Sequence, residues 1–159
     1  TITWGDPMIG AQAALTMSGL DYLLALKAEQ YPPAPIARTL NMNLVEVSHG
    51  RAIFTALPTE YMYNPIGVVH GGYASTVLDA AMGCAVHSTL PLGMAYSTSQ
   101  LGIHLVRAIT LSVGLLTCEG TVIHSGRMIA TAEARLVDAS GKLYAHATTT
   151  CAIFPIQRD

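Results

Sequence analysis

The chain has 159 residues, of which 51% are hydrophobic and only 11% are charged. This length suits one domain with a hydrophobic core, and so few charges leave little polar surface for a monomer, so we expect an oligomer. The net charge of −2 and the lack of a basic cluster argue against nucleic acid as a partner. No stretch approaches the ~20 consecutive apolar residues of a membrane span, so we expect no membrane association.

The cysteines indicate the compartment. Cys84, Cys118 and Cys151 lie in apolar runs without metal-ligand spacing. They are predicted to be buried free thiols, as is typical of a reducing cytosol, and no metal site is expected. The first residues also lack the basic and apolar pattern of a signal peptide. These features together predict a cytoplasmic protein.

Residues 1–35 are predicted to form an N-terminal helix and a Pro-rich connector, as part of the same domain as residues 36–159. Residues 1–17 fit a loop that leads into a short helix. A polar start at Ser18, followed by apolar residues at helical spacing, predicts an amphipathic helix that runs to about Gln30. The prolines that follow end this helix and stiffen the connector.

The rest of the chain predicts a sheet and one long helix. Apolar alternation and turn residues indicate two strands at 36–48 and 51–57, a loop at 59–69 and the long helix at 70–89. Four further strands are predicted at 95–107, 110–123, 127–137 and 142–154. Short turns between them imply antiparallel neighbours. Mostly small inward residues on the last two strands leave room for a helix. We therefore predict an α+β fold in which an antiparallel sheet of five to six strands wraps around one central helix.

The central helix carries a single charge, Asp79, among apolar residues that leave no polar face. A buried carboxylate is costly unless it is paired or used in chemistry. Pairing with an arginine is one reading. The helix also opens on Gly71 and Gly72, which present unpaired N–H groups at the positive end of its dipole. This combination favours catalysis on an acyl group. His87, near the helix end, is interpreted as a cation that stabilises the dipole.

A recognisable motif leads into this helix: Asn64-Pro65-Ile66-Gly67-Val68-Val69-His70-Gly71-Gly72, followed by Leu78-Asp79. It resembles the hotdog-fold acyl-CoA thioesterases of the phenylacetic-acid-degradation (PaaI-like) type. The similarity extends to most of the chain, including Leu105-Val106-Arg107-Ala108, although many members have proline where Ala108 stands. The resemblance implies a hotdog fold, acyl-CoA as substrate and no cofactor. It also implies a homodimer with shared active sites, commonly doubled to a tetramer.

The resemblance assigns catalytic roles to five positions. Asp79 matches the catalytic carboxylate, and the N–H of Gly71 matches the donor to the thioester oxygen. Asn64 matches the residue that holds the carbonyl or water, and His70 matches the motif histidine, for which we favour positioning over proton transfer. Thr98 falls where related members orient the attacking water. Asn64 is equally typical of a turn, and Thr98 of any strand.

Candidate substrate-binding residues carry less specific signals. Gly72 permits close packing at the helix start, and Tyr63 either lines an acyl pocket or packs the loop. Arg107, His124 and Arg127 are candidates for the phosphates of coenzyme A, and each is equally plausible as a solvated charge at a strand end.

The spacing of Gly71 and Asp79 predicts where the active site lies. The two residues are eight positions apart, which is about 12 Å along one helix at ~1.5 Å per residue. One carbonyl group cannot contact both, because hydrogen bonds need about 3 Å. Two helices packed antiparallel across a two-fold axis would bring Gly71 of one chain near Asp79 of the other. We therefore expect two composite sites in each dimer.

The sequence thus predicts an enzyme that hydrolyses aryl- or medium-chain acyl-CoA to free acid and coenzyme A. Asp79 would act as base or nucleophile, and a helix N-terminal amide would stabilise the oxyanion. The alternative is a non-catalytic acyl-CoA-binding or regulatory protein on the same fold. Whether the carrier is coenzyme A or a protein-bound pantetheine stays open.

Overall fold

The computed structural model describes residues 1–157, so the last two positions of the predicted domain lie outside it. Its framework is one six-stranded antiparallel sheet with the spatial order β1-β2-β4-β5-β6-β3. In chain order the strands are β1 Met42–Ser48, β2 Arg51–Ala56, β3 Met94–Leu105, β4 Leu116–Ser125, β5 Ile129–Val137 and β6 Leu143–Pro155. The prediction of five to six antiparallel strands is confirmed.

Three short helices precede the sheet: α1 Pro7–Ala14, α2 Gly19–Lys27 and α3 Pro35–Thr39. Ser18 caps α2, as predicted, because its hydroxyl accepts a hydrogen bond from the N–H of Asp21 at 3.2 Å. The strand predicted over 36–48 is too long at its start. Pro35 opens α3 instead, as proline does at a first helical position, and the sheet begins only at Met42.

The long helix α4, Gly71–His87, lies against the inner face of the sheet. Its buried residues pack on small side chains that alternate along β5 and β6, as the pattern predicted: Ala130, Ala132, Ala134, Ala145, Ala147 and Cys151. Contact is closest at Gly120 of β4, where a Cβ atom would overlap the backbone carbonyl of Ala81 and lie 2.8 Å from the nitrogen of Met82. Glycine at position 120 therefore lets the helix touch the sheet.

Residues 110–115 differ from the predicted strand over 110–123. A 3-10 turn occupies Leu111–Val113, and Gly114 follows with a φ of +72°, a left-handed conformation that glycine adopts readily. The backbone joins the sheet only at Leu116. This detour carries the chain across the start of α4, where the amide of Val69 donates to the carbonyl of Ile109 at 2.9 Å.

Strand β3 lies at one edge of the sheet and pairs only with β6 within the described chain. A β-bulge at Ser99 interrupts this pairing, since Thr98 faces Cys151 while Gln100 faces Thr150. None of the helices among residues 1–157 combines the length and hydropathy that crossing a bilayer requires. The edge strand matters for the candidate site because it runs beside α4.

Candidate active site

The lone charge of α4 has a neutral partner. Thr98, on β3, donates its hydroxyl hydrogen to Oδ1 of Asp79 at 2.9 Å. Both ion pairs among residues 1–157 belong to Arg51, with Glu46 and Glu119, so no arginine neutralises Asp79 there. Asp79 is half-buried in the protomer, less than the sequence predicted, because it lies on the side of α4 that faces the edge strand. The alternative hypothesis, in which Asp79 is a structural carboxylate paired with an arginine, is therefore not supported.

The bulge at Ser99 directs Thr98 towards α4. Before the bulge, Tyr96 and Thr98 face the helix; after it, the inward positions are Leu101 and Ile103, which pack on the core. The extra residue is fixed by a hydrogen bond from Oγ of Ser99 to the carbonyl of Thr150, at 3.0 Å. Bulges commonly re-aim side chains beside functional sites. The inward-facing side chains of β3 occupy even-numbered positions up to Thr98 and odd-numbered positions from Leu101 onwards. This change was a sequence signal for the bulge.

The N-terminus of α4 leaves one amide without an acceptor. His70 is the N-cap, and its Nδ1 accepts a hydrogen bond from the N–H of Gly72 at 2.8 Å, which places the ring proton on Nε2. The N–H of Gly71 has no acceptor within residues 1–157. It lies at the positive end of the helix dipole, where an oxyanion is stabilised. His70 thus has the positioning geometry that the sequence favoured, and Gly71 provides a free donor.

Asn64 holds the loop before the helix. Its Oδ1 accepts hydrogen bonds from the N–H groups of Ile66 and Val68, at 3.1 and 3.2 Å. Its amide nitrogen makes no hydrogen bond to any other residue of 1–157, and it can donate to a ligand. Both readings of Asn64 therefore have a structural basis: the oxygen stabilises the turn, while the nitrogen is available.

A cavity of about 280 Å³ brings several predicted site residues together at the start of α4. Asn64, His70, Gly71 and Arg107 line it, with Leu105 packed over Gly71. Arg107 is exposed, and its Nε donates to the carbonyl of Leu143 at 3.3 Å. Its charge is thus held at the mouth of the space beside the free amide.

A second cavity, of about 450 Å³, adjoins the same helix start. Tyr63 and Gly72 line it together with Tyr61 and Tyr73. Tyr63 is also fixed in its loop, because its hydroxyl accepts a hydrogen bond from the N–H of Leu111 at 3.1 Å. The hydroxyl of Tyr73 is buried without a hydrogen-bond partner in the described chain. Tyr63 and Gly72 are therefore adjacent to the candidate site.

Two predicted phosphate-binding residues lie elsewhere in the protomer. His124 and Arg127 are exposed near the β4–β5 turn. This turn neighbours the C-terminal end of α4, where the hydroxyls of Thr89 and Ser125 are 3.3 Å apart. The helix therefore separates His124 and Arg127 from the cavity that contains Gly71.

An aromatic row beyond Asp79 was not identified from the sequence as part of the site. The ring centroids of His87 and Tyr96 are 5.4 Å apart, and those of His87 and Tyr22 are 5.7 Å apart. Burial lowers the pKa of His87, so this side chain favours the neutral form rather than the cation predicted at the helix end. Tyr22, His87 and Tyr96 come from three separate elements, so no local pattern could have linked them.

Burial also raises the pKa of the Cys84 thiol to about 12, and the charge of Asp79 adds to the rise. A neutral thiol at position 84 is a poor nucleophile. Within this part of α4, the carboxylate of Asp79 is therefore the group equipped for acid–base or nucleophilic chemistry.

Comparison with known proteins places these features in a family. The model of the thioesterase superfamily matches residues 66–145, which include the helix start, Asp79 and Thr98. A 1,4-dihydroxy-2-naphthoyl-CoA hydrolase of Listeria monocytogenes is 25% identical over 119 residues, which cover 74% of this chain and 94% of that protein.

Two solved structures have the same fold. A phenylacetic acid degradation-related protein of Ralstonia eutropha superposes with a TM-score of 0.75 at 28% identity, covering 82% of this chain and 98% of that one. The smu.793 protein of Streptococcus mutans, solved with acetyl CoA bound, gives a TM-score of 0.66 at 26% identity over 74% of this chain and 92% of that one. The match to the family model and the shared fold confirm the resemblance inferred from the motif. This chain therefore belongs to the thioesterase superfamily and is a hotdog-fold thioester hydrolase.

Proposed function

We propose that this enzyme hydrolyses aryl- or medium-chain acyl-CoA thioesters, with Asp79 as the catalytic carboxylate and Gly71 of the partner subunit as the oxyanion donor. The proposal rests chiefly on one observation, the hydrogen bond of 2.9 Å from Thr98 to Asp79. It supplies the carboxylate with an uncharged hydrogen-bond donor that fixes its orientation. The printed name of the Listeria relative, a CoA-ester hydrolase, and the acetyl CoA bound to the Streptococcus protein agree with this substrate class.

The pair of Asp79 and Thr98 can hold an attacking water. Because the Thr98 hydroxyl donates to Asp79, its oxygen lone pairs remain free to accept a hydrogen. A water between them would donate one hydrogen to each side chain and present its lone pair to the thioester carbon. Asp79 takes a proton as the C–O bond forms, and collapse of the tetrahedral intermediate breaks the C–S bond. The departing coenzyme A thiolate then receives that proton.

Direct attack by Asp79 uses the same groups. A carboxylate oxygen would bond to the carbonyl carbon and expel the thiolate, and water would then hydrolyse the mixed anhydride. A single turnover in ¹⁸O-labelled water tests the nucleophilic route in which water attacks the aspartyl carbonyl of the anhydride. That route introduces the label into the Asp79 carboxylate and leaves the released acid unlabelled, whereas general-base catalysis, like attack of water on the acyl carbonyl of the anhydride, puts the label in the acid.

Helix geometry supports a site shared between two subunits. Gly71 lines the cavity at the start of α4, and Asp79 does not. Eight residues separate them, about 12 Å along the helix. The unpaired edge of β3, Met94–Leu105, offers a surface on which an identical strand can add. Antiparallel pairing there would set two α4 helices side by side and oppositely directed, and the proposed dimer can double into a tetramer.

Two inactive variants test both the function and the shared site. Asp79→Asn removes the base and should lower kcat about 10²–10⁴-fold. Gly71→Pro removes the N–H while suiting a first helical position, and His70 already has the φ of −59° and ψ of 137° that a residue before proline requires. The assay is release of free thiol from a panel of acyl-CoA thioesters, with dimerisation checked for each protein.

Subunit mixing then gives a quantitative outcome. Half of the dimers in an equal mixture are hybrids, and each hybrid has one intact site of two, so about one quarter of wild-type activity should return. Failure to regain activity in hybrids that demonstrably form would refute the shared site. An unmutated protein that binds acyl-CoA but releases no thiol would instead support the non-catalytic alternative.

A further inference from the structure

The ring of Tyr96 lies between β3 and α4, one helical turn beyond Asp79. A Cβ atom at Gly83 would lie 2.8 Å from the Tyr96 hydroxyl and 3.2 Å from its Cε2. The ring therefore rests directly on the helix backbone, which only a glycine at position 83 permits without movement. Gly83 follows Asp79 by four residues, so the Tyr96 ring covers the helix about 6 Å beyond the carboxylate.

The Tyr96 ring packs in a row with further aromatic side chains. Its centroid lies 5.4 Å from that of His87, which in turn lies 5.7 Å from that of Tyr22. Burial raises the pKa of the Tyr96 phenol, and the charge of Asp79 adds to the rise. The ring is thus partly buried close to the carboxylate.

A cavity also adjoins the Tyr96 ring. Tyr96 and His87 also line a cavity of about 340 Å³, whose remaining walls include Leu15, Met94, Phe154 and Ile156. Neither Asp79 nor Gly83 contributes to that cavity. Its volume falls within the ~300–1,000 Å³ of ordinary ligand pockets. The ring of Tyr96 therefore separates the carboxylate from an apolar space large enough to hold part of a hydrocarbon chain.

The two parts of an acyl-CoA thioester, the coenzyme A arm and the acyl arm, differ in polarity. This difference indicates which of them points towards Tyr96. The coenzyme A arm carries phosphates, which cations bind, and the neighbouring rings of Tyr22 and neutral His87 supply no positive charge beside Tyr96. The acyl arm is apolar and gains free energy from burial there. Seen from Asp79, the acyl group is thus directed along α4 towards its C-terminal end.

We infer that Tyr96 is a specificity-determining residue that limits the length of the acyl group, so that this enzyme selects aryl- or medium-chain acyl thioesters over longer ones. The inference rests on the proposed function, because it takes Asp79 as the point where the thioester is held. Replacing Tyr96 with a small residue would remove the ring that lies between Asp79 and the apolar cavity. Acyl chains that the ring excludes would then be accommodated.

The test compares wild type with Tyr96→Ala and Tyr96→Leu, using acyl-CoA thioesters and inert thioether analogues from two to sixteen carbons. Each discriminating methylene is worth roughly tenfold or more in a hydrophobic pocket. We expect both variants to raise the ratio of long-chain to short-chain kcat/KM at least tenfold through KM, and the analogues' affinities to shift in the same way. Tyr96→Phe keeps the ring and should keep the wild-type profile.

A merely destabilised variant would lower activity on every chain length in parallel, which leaves the ratio unchanged. An unaltered chain-length profile in both Tyr96→Ala and Tyr96→Leu overturns the inference. So does a profile altered equally by Tyr96→Phe, because the hydroxyl and not the ring would then be responsible. Analogues that bind while no thioester is hydrolysed would contradict the proposed function, and the inference would still be decided by the affinities.

Discussion

Replacing Thr98 with valine isolates the hydrogen bond on which the proposed chemistry depends. Valine keeps the branched shape that suits a strand and removes only the hydroxyl that donates to Asp79 at 2.9 Å. A hydrogen bond to a charged group contributes about 1.5–3 kcal/mol. At about 1.4 kcal/mol for each tenfold change in rate, kcat should fall roughly 10- to 150-fold.

The assay is thiol release under saturating substrate, with thermal unfolding measured in parallel. Thr98→Ser is the matched control, since it retains the oxygen and should keep kcat within roughly threefold of wild type, well above the valine variant. Valine activity equal to wild type would refute the argument that Thr98 orients the carboxylate and its water. So would a serine variant as impaired as valine, because the hydroxyl would then be irrelevant.

Two other perturbations test the packing around α4. In Gly120→Ala the new Cβ would overlap the carbonyl of Ala81, which should destabilise the fold by about 1–3 kcal/mol. In Gly102→Ala the nearest contacts of the new Cβ are the end of the Gln100 side chain at 3.3 Å and the Thr148 hydroxyl at 3.7 Å, so this variant serves as the strand control in thermal unfolding. His87 has a folded pKa below its usual 6.5, so the unfolded chain binds more protons and stability should fall as the pH drops below 6.5. His87→Gln should remove up to about 1.4 kcal/mol per pH unit of that slope in denaturant titrations; a slope identical to that of wild type would contradict a buried neutral His87.

The sequence was most informative where one local pattern decided the structure. The run of apolar residues around Asp79 predicted α4 to within two residues at its C-terminal end, and the helix begins at Gly71 as its paired glycines indicated. The alternation of small residues along β5 and β6 predicted which face receives that helix. In both cases, the size of the side chains and their spacing along the sequence allow only one compact arrangement.

Short segments were harder, because a few apolar residues fit either a helix or a strand. The alternation of Leu40, Met42 and Leu44 predicted a strand from residue 36, yet Pro35 starts the five-residue helix α3 there. Asn41 follows with a left-handed φ of +50° before β1 begins. The short turn at Leu111–Val113 is a comparable case.

The candidate site depended on contacts that no spacing reveals. Thr98 and Asp79 lie nineteen positions apart, and only the family resemblance paired them before the hydrogen bond was observed. Tyr96 had no such guide, since its partner Gly83 is ordinary in a sequence rich in small residues. Sequence reasoning also grouped His124 and Arg127 with Arg107, and within one protomer they lie at opposite ends of α4, so a common role in binding phosphates stays a prediction.

The two contacts between β3 and α4 to which we assign functions are matched in spacing. Thr98 contacts Asp79, and two strand residues earlier Tyr96 contacts Gly83, four helix residues later. Two strand residues span about 6.6 Å and four helix residues about 6 Å, so one register of β3 satisfies both contacts. The bulge at Ser99 fixes that register directly after Thr98, where β3 continues along α4. Orientation of the carboxylate and the proposed limit on acyl length are therefore coupled, and deleting Ser99 should disturb both together, whereas a side-chain change at either contact disturbs one.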